Sequence, residues 1–371
     1  MDFDLSELCQ QVMTASGAER PLYIRGGGTR QFYGEPLPTG LPGTAILDLS
    51  GYQGIINYQP SELVITAKAG TRLSDVETAL EAEGQMLAFE PPRFAAESTV
   101  GGMVATGLSG PRRMAVGSLR DFVLGTRLLD SSGKILAFGG EVMKNVAGYD
   151  ISRLLAGSMG IFGALIEVSL KIAPRPQLET TCVLEASESE ALALFSQWRS
   201  KPLPISATRW LQEHGSRRGS LHVRLSGSEP AVANGLQQIG GEVIASDQAN
   251  ALWVGLRDQT DAFFQQKPLW RVAVPPQVEP LGLGATLIEW NGGLRWVAAD
   301  EASLTADGAR TLRERVARSG GHATLYRYAA RPLDVPVFHP LRPALRNINQ
   351  RLKQELDPAG IFNPGRLFPE F

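Results

Sequence analysis

Cysteine and histidine are scarce in this chain, and their scarcity limits the chemistry that it can carry. Of its 371 residues, two are cysteine (Cys9 and Cys182) and four are histidine. Two cysteines cannot build a disulfide framework, nor can they alone hold an iron–sulfur cluster. We therefore expect no metal site. Cys9 falls in a predicted helix and Cys182 in a predicted strand, so we expect buried, unreactive thiols.

Charge of one sign and long apolar runs are also missing. The formal net charge of −2 gives no electrostatic reason for binding nucleic acid or an anionic membrane. No apolar run approaches the ~18 residues of a bilayer-spanning helix. The N-terminus, 1–5, is acidic and lacks the basic and apolar regions of a signal peptide. These features favour a cytoplasmic protein, and they leave open a peripheral attachment to a membrane through a partner.

The nucleotide-binding motifs that are defined by spacing are absent as well, but glycine is abundant. The chain has 40 glycines and neither a G-x-x-x-x-G-K-[ST] motif nor a G-x-G-x-x-G motif. Gly26, Gly27 and Gly28 follow a short apolar segment and precede a hydroxyl and a cation. Backbone amides of consecutive glycines can point into one concavity, which binds phosphate oxygens. Thr29 can add a hydroxyl donor, and Arg25 or Arg30 a positive charge.

Further glycine clusters follow within the first half of the chain. They occupy 98–107, 117–125, 144–150 and 157–163. Each lies beside an apolar segment of strand or helix length. We therefore predict that backbone from several places folds against one extended ligand.

Hydrophobic periodicity predicts an α+β protein of two domains. In the first half it predicts helices at 3–15 and 71–83 and strands at 21–25, 44–49, 62–68, 122–130, 134–138 and 164–171. Prolines at 174 and 176 then mark a boundary. Beyond them we predict strands at 178–185, 204–211, 219–225, 251–256, 269–274, 285–290, 294–299 and 322–328, and helices at 188–199, 229–239, 302–319 and 343–356. This second pattern favours an antiparallel sheet that helices cover on one side.

Three segments carry a resemblance to a known family. They are Val142–Asp150, Gly157–Gly163 and the ending Asp357–Arg366. With the block from Arg25 to Pro174, they resemble the FAD-binding domain that vanillyl-alcohol oxidase, para-cresol methylhydroxylase and D-lactate dehydrogenases share. The first two segments are most similar to the FAD-binding subunits of bacterial glycolate oxidase complexes.

The resemblance implies a domain organisation and a cofactor site. Residues 1–175 would form an FAD-binding domain of two α+β subdomains, 176–335 a cap or substrate domain with an antiparallel sheet, and 336–371 a segment that returns to the FAD domain. The residues that match the family's FAD-binding segments are Arg25, Gly26, Gly27, Gly28, Thr29, Arg30, Thr99, Val100, Gly101, Gly102, Gly117, Ser118, Arg120, Asp121, Gly160, Ile161, Gly163 and Ile166.

Some family members tether their flavin through a histidine near the first glycine loop. The histidines of this chain are His214, His222, His322 and His339, so none lies in the first half. We therefore expect FAD to bind noncovalently. The sequence assigns no catalytic base, and the candidates for pairing with a substrate carboxylate are Arg295, Arg342 and Arg346.

The resemblance implies oxidation of glycolate or a related D-2-hydroxy acid to the 2-oxo acid by an FAD-dependent oxidoreductase. Electrons would pass to partners, which the resemblance indicates are a second flavin subunit and an iron–sulfur subunit. Two alternatives stay open: a structural or electron-relay flavin subunit, and a self-sufficient dehydrogenase. A cell-wall precursor reductase of the same fold would need NADPH and a nucleotide sugar, and the hydroxy-acid-type ending argues against it.

Overall fold

The computed structural model describes residues 4–37, 45–140, 150–212, 216, 218–332 and 334–371. The chain divides into two compact units. The first unit comprises residues 1–109, 118–174 and 340–371, and the second unit comprises residues 110–117 and 175–339. The short segment 110–117 thus belongs to the second unit although both flanking segments belong to the first, which no local sequence pattern indicates.

The six helices that the sequence periodicity predicts are present, and the described residues contain four more that it did not predict as helices. Those of the described residues are α1 Leu5–Gly17, α2 Leu73–Ala82, α3 Val100–Thr106, α4 Arg113–Val116, α5 Ile151–Leu155, α6 Glu188–Arg199, α7 Glu229–Ile239, α8 Ser246–Asp258, α9 Ala306–Arg318 and α10 Pro343–Leu356. Within the described residues, no helix is long and apolar enough to cross a membrane.

The strands are short and mostly antiparallel. They are β1 Leu22–Arg25, β2 Ala45–Asp48, β3 Ile55–Gln59, β4 Val64–Lys68, β5 Gln85–Met86, β6 Val123–Leu129, β7 Ile135–Gly139, β8 Ala164–Lys171, β9 Ala173–Pro174, β10 Leu178–Ala186, β11 Ile205–Gln212, β12 Gly219–Gly227, β13 Glu242–Val243, β14 Leu269–Ala273, β15 Ala285–Glu289, β16 Leu294–Ala298 and β17 His322–Arg327.

The first unit contains a five-stranded antiparallel sheet and a separate parallel pair. The larger sheet has the order β3-β4-β8-β6-β7, and β1 pairs in parallel with β2. Helix α2 turns Leu73, Val76 and Leu80 into the core beside the larger sheet, as its 3.6-residue periodicity predicts. Helix α1 covers the parallel pair with Leu8 and Val12.

The second unit is built on one antiparallel sheet of eight strands. Their order is β13-β10-β12-β11-β15-β16-β14-β17. Helices α6 and α7 pack their apolar residues against β10, β11 and β12, while α9 does the same against β14, β16 and β17. The expected antiparallel sheet is therefore present, but helices lie on both of its faces. Trp253 of α8 donates to the hydroxyl of Thr181 on β10, which points away from the core that holds Cys182.

Two local predictions were wrong. The segment 251–256 is part of helix α8 and not a strand. An apolar run this short fits either structure, and α8 is favoured because Trp253 and Leu256, three residues apart, both face the core. Burial raises the pKa of the Cys182 thiol to about 11, as expected for an unreactive core cysteine, but Cys9 is only partly buried.

An ion pair at the end of α10 anchors the C-terminal segment. Lys353 Nζ donates to Asp357 Oδ2 at 2.6 Å and to the carbonyls of Ile161 and Phe362 at 2.6 and 2.8 Å. Asp357 also accepts from the amides of Ile361 and Phe362. Burial lowers the pKa of Lys353, and the attraction of Asp357 opposes this shift. All three ammonium protons are used, so the pair ties the tail to the loop that contains Ile161.

We predict that Lys353→Met lowers the free energy of unfolding by about 3–5 kcal/mol, because it leaves the buried Asp357 carboxylate without its cation. Urea unfolding at neutral pH measures the change. Arg351→Met is the matched control, since Arg351 lies on the same helix and is exposed. Equal stability of the two variants would show that the buried pair does not anchor the tail.

Candidate cofactor site

The glycine loop after β1 forms one wall of a cleft that lies wholly within the first unit. The other walls come from the start of α3, the loop at 159–165 and the C-terminal tail. The enclosed volume is about 140 Å³. A cavity of that size accommodates a single small ring, so a dinucleotide would extend beyond it.

Backbone amides of the glycine loop are available to a ligand. Within the part of the chain that the structure describes, no amide from Gly26 to Thr29 donates a hydrogen bond to another residue. Gly28 has a φ of +70°, a conformation that favours glycine. Unpaired amides that line a cleft are the donors that phosphate oxygens require.

Two of the loop glycines are needed because neighbouring backbone approaches closely. A Cβ on Gly27 would overlap the carbonyl oxygen of Glu97, and one on Gly26 would overlap the Thr99 hydroxyl. The obstacle at Gly27 is rigid backbone. The absence of side chains therefore lets the loop pack against the segment before α3, and this packing keeps its amides at the cleft.

The two arginines that flank the glycines already have partners in the protein. Arg25 is 44% exposed at its side chain and pairs with Asp48 at 2.5 Å. Arg30 is buried and donates to the Ser98 hydroxyl at 3.0 Å and to the Pro92 carbonyl at 2.5 Å. Thr29 also bonds Ser98, at 2.9 Å. Arg30 thus holds the loop in place, and its positive charge remains at the cleft wall.

The segment before α3 contributes in a different way from the glycine loop. The Val100 amide donates to Thr71 O at 2.9 Å and the Gly101 amide to Ala69 O at 2.7 Å. The Gly102 amide donates to Thr99 Oγ1 at 3.3 Å. Because these donors are all used, the segment offers a ligand close backbone approach and not hydrogen bonds.

Two tail residues complete the cleft. Asn363 accepts from the Ile24 amide at 2.8 Å and donates to the Met159 carbonyl at 2.6 Å. Arg366 donates to the carbonyls of Gln31 and Tyr33 at 2.8 and 2.6 Å. The resemblance of the ending 357–366 indicated that this segment matters, but its apolar pattern gives no sign that these side chains form a cleft wall.

The structure brings together part of the predicted FAD-binding set. The predicted residues that line the cleft are Arg25, Gly26, Gly27, Gly28, Thr29, Arg30, Thr99, Gly101, Gly102, Gly160 and Gly163. Those outside its lining are Val100, Gly117, Ser118, Arg120, Asp121, Ile161 and Ile166. The side chains of Val100, Ile161 and Ile166 are fully buried in cores. The predicted cluster at 144–150 lies outside the described residues up to position 149.

The charge and protonation of the cleft fit a diphosphate. Its charged lining residues are Arg25, Arg30 and Arg366, and none of its lining residues is acidic. Burial raises the pKa of Tyr23, so its phenol stays protonated at neutral pH. Unused amides, positive walls and the lack of a carboxylate together suit the phosphates of FAD.

None of the three arginine candidates for substrate binding lines this cleft. Arg295 is fully buried and donates to the carbonyls of Val278, Glu279 and Gly292. Its guanidinium holds a turn, which argues against a role in binding a substrate carboxylate. Arg342 is exposed at the start of α10, and Arg346 pairs with Glu370 at 3.0 Å.

The histidines within the described residues do not form a metal site. No group of three or more potential metal ligands comes together in the described ranges. Burial and the nearby Arg209 lower the pKa of His222 to about 4. Burial and positive neighbours likewise lower the pKa of His322 to about 4. Both are therefore neutral at physiological pH. His214 lies outside the described residues.

Comparison with known proteins identifies relatives over the whole chain. The model of the FAD binding domain family matches residues 4–139. The chain is 44% identical to the glycolate oxidase subunit GlcE of Escherichia coli over 98% of this chain and 97% of that protein. It is 30% identical to the glycolate oxidase subunit GlcD of Bacillus subtilis over 49% of this chain and 38% of that protein.

A solved structure supports the fold assignment. Alkyldihydroxyacetonephosphate synthase superposes with a TM-score of 0.68 at 14% identity, over 97% of this chain and 74% of that one. With the family match, this likeness confirms the expected fold class, an α+β FAD-binding fold with an additional antiparallel α+β region.

We predict that Gly27→Val abolishes flavin retention, because the new side chain must displace the loop from the Glu97 backbone. The flavin absorbance per protein after gel filtration measures the loss. Gly17→Val is the matched control, since a Cβ there meets nothing within 4 Å. A Gly27→Val protein that keeps its full yellow colour would show that this loop does not hold the flavin.

Proposed function

The chain belongs to the FAD-binding family of the glycolate oxidase subunit GlcE, and we propose that it is the FAD-binding subunit of a complex that oxidises glycolate or a related D-2-hydroxy acid. The observation that carries the proposal is the cleft in which unpartnered loop amides meet positive walls. The whole-length identity to GlcE supports the choice of substrate class.

The proposed reaction converts a 2-hydroxy acid to a 2-oxo acid. The α-carbon loses a hydride and the hydroxyl group loses a proton, so two electrons leave the substrate. When bound, FAD supplies the acceptor for that hydride. The role of this chain is to bind the phosphates of the cofactor with amides 26–29 and to admit a close backbone approach beside Gly102.

We propose different roles for the two units. The first unit, which contains the cleft, binds FAD. The second unit, built on the eight-stranded sheet, binds substrate, as the cap expected at 176–335 would. The tail belongs with the FAD-binding unit, a role supported by the bonds of Asn363 and Arg366 to residues of the glycine loop region.

The remaining FAD-binding residues of the predicted set keep their proposed role. Ser118, Arg120 and Asp121 form a capped turn in which Asp121 accepts from the Ser118 amide at 2.8 Å. Hydrogen bonds from Ser118 lower the pKa of Asp121 despite its partial burial. A well-ordered turn of this kind is suited to contacting the cofactor outside the cleft.

We propose that the cofactor is bound noncovalently, and we predict that acid precipitation releases all of it. The histidines lie at 214 and beyond, and none of those that the structure describes lines the cleft. The flavin should appear in the supernatant and run as free FAD on chromatography. Flavin that stays with the washed pellet would contradict the proposal and would call for peptide mapping of the linkage.

We further propose that a second flavin subunit and an iron–sulfur subunit receive the electrons. A reduced flavin must pass on two electrons before the next turnover. The two cysteines of this chain cannot hold an iron–sulfur cluster of their own. We place the complex in the cytoplasm, with attachment to a membrane through a partner.

We predict that the isolated chain oxidises glycolate slowly with an artificial dye and that the reconstituted complex is much faster. Affinity purification from native extract, followed by dye reduction assays on both preparations, tests this. Rapid turnover by the lone chain without copurifying subunits would indicate a self-sufficient dehydrogenase. Normal complex activity with a flavin-free Gly27→Val chain would indicate a structural subunit.

A further inference from the structure

The eight-stranded sheet of the second unit has an apolar face packed by α6, α7 and α9, and its other face carries aromatic and charged side chains together. On β14, Trp270 and Val272 face the helices, so Arg271 faces the other way. In the strand register Arg271 lies opposite Trp296 on β16 and Thr324 on β17. His322, two residues before Thr324, shares this face. This face thus brings Arg271 beside side chains that lie 25 to 53 positions further along the sequence.

Arg271 is half-buried between aromatic rings. Its guanidinium carbon lies 5.2 Å from the ring centre of Trp290 and 5.9 Å from that of Trp296. Both tryptophans are buried, and each is held by its indole N–H. Trp290 donates to Gly110 O at 3.0 Å, and Trp296 donates to Glu289 at 2.5 Å. The two rings therefore provide a rigid surface on which the guanidinium stacks.

Arg271 has ring contacts but no polar partner in the part of the chain that the structure describes. It forms no hydrogen bond and no ion pair there, and Glu289 on the same face is not paired with it. The other two arginines on this face differ. Arg209 pairs with Asp261 at 2.8 Å, and Arg224 bonds Ser206 at 3.0 Å. A half-buried guanidinium without an acceptor is poised to take one from a ligand.

The surroundings of Arg271 are positive. Arg113, from the segment 110–117 of this same unit, stacks on Trp290 at 4.4 Å. Burial lowers the pKa of His322, and the nearby positive charges of Arg271 and Arg113 add to this effect. Its imidazole is neutral at physiological pH, so it can donate or accept a hydrogen bond.

We propose that Arg271, with Arg113 and His322 beside it, binds the carboxylate of a small 2-hydroxy acid. This inference rests on the proposed function for the choice of substrate. The planar fork of one arginine matches a carboxylate in bidentate fashion, and the flat indoles fix that fork in one orientation. Arg271 thereby takes the role for which Arg295 was a sequence candidate.

The test measures binding on the full-length, FAD-loaded chain. Tryptophan fluorescence is titrated with glycolate, with inorganic phosphate, and with ethylene glycol as the uncharged analogue. Trp290 and Trp296 beside Arg271 report on occupancy. Arg271→Met should weaken glycolate binding by about 10- to 100-fold, the loss expected for a charge-assisted bidentate contact. Arg271→Lys keeps the charge and loses the planar fork. Its affinity for glycolate should therefore lie between that of the unaltered chain and that of Arg271→Met.

Arg310→Met is the matched control, because Arg310 is an exposed arginine on α9 of the same unit with a side-chain exposure of 66%. It should bind glycolate as the unaltered chain does. Flavin content and thermal unfolding midpoint should be the same in all variants. A misfolded Arg271→Met chain would show in these readouts, and the Arg271→Lys chain would then decide.

Several results would overturn the inference. They are a lack of glycolate binding by the unaltered chain, equal binding by Arg271→Met, or phosphate binding at this site in preference to glycolate. The complex assay separates the inference from the proposed function. An unchanged KM for glycolate in an Arg271→Met complex would contradict the proposed carboxylate site but not the proposed function. Arginine-dependent glycolate binding without any glycolate oxidation by the complex would contradict the proposed function but not the site.

Discussion

The amide group of Asn363 joins three parts of the first unit that are far apart in the sequence. The side-chain amide of Asn363 accepts from the backbone amide of Ile24 and donates to the Met159 carbonyl. The backbone amide of Asn363 donates to Leu22 O at 3.0 Å. The glycine loop beside β1 has almost no side chains with which to pack, and glycine loses the most entropy on ordering. Its shape therefore depends on the tail. The tail depends in turn on the buried Lys353–Asp357 pair, which is bonded through Ile161 O to the loop that contains Met159.

Arginine serves two physical purposes in this protein, and burial alone does not distinguish them. Arg30, Arg295 and Arg366 are buried with their guanidinium groups bonded to backbone carbonyls, so their donors act as braces for irregular chain. Arg271 is half-buried on aromatic rings and has no such acceptor within the described residues. An arginine whose guanidinium donors are bonded to backbone carbonyls stabilises the fold. One whose donors have no acceptor in the protein remains able to bind a ligand.

The two faces of the sheet in the second unit carry different kinds of side chain. Alternation along β14 places Trp270 and Val272 on the face packed by α9 and Arg271 on the other face. The apolar face packs two cores with α6, α7 and α9. Because those cores stabilise the sheet, the opposite face can carry charged side chains such as Arg209, Arg224 and Arg271. The buried tryptophans on that face fill space that small polar residues would leave open.

The sequence by itself determined the elements with strong local signals. Helices α6 and α7 begin and end where their periodicity indicates, and the run Gly26–Gly28 identified a loop that lines the cleft. Local periodicity failed at 251–256, because a six-residue apolar run suits a strand and a helix alike. Only the tertiary structure decided that Asn363 and Arg366 line the cleft, that Arg295 is enclosed by carbonyls and that Arg271 lies free between two indoles. Those outcomes depend on contacts between residues that are far apart in the sequence. Hydrophobic periodicity reports only on residues that are close in the sequence, so it carries no information about such contacts.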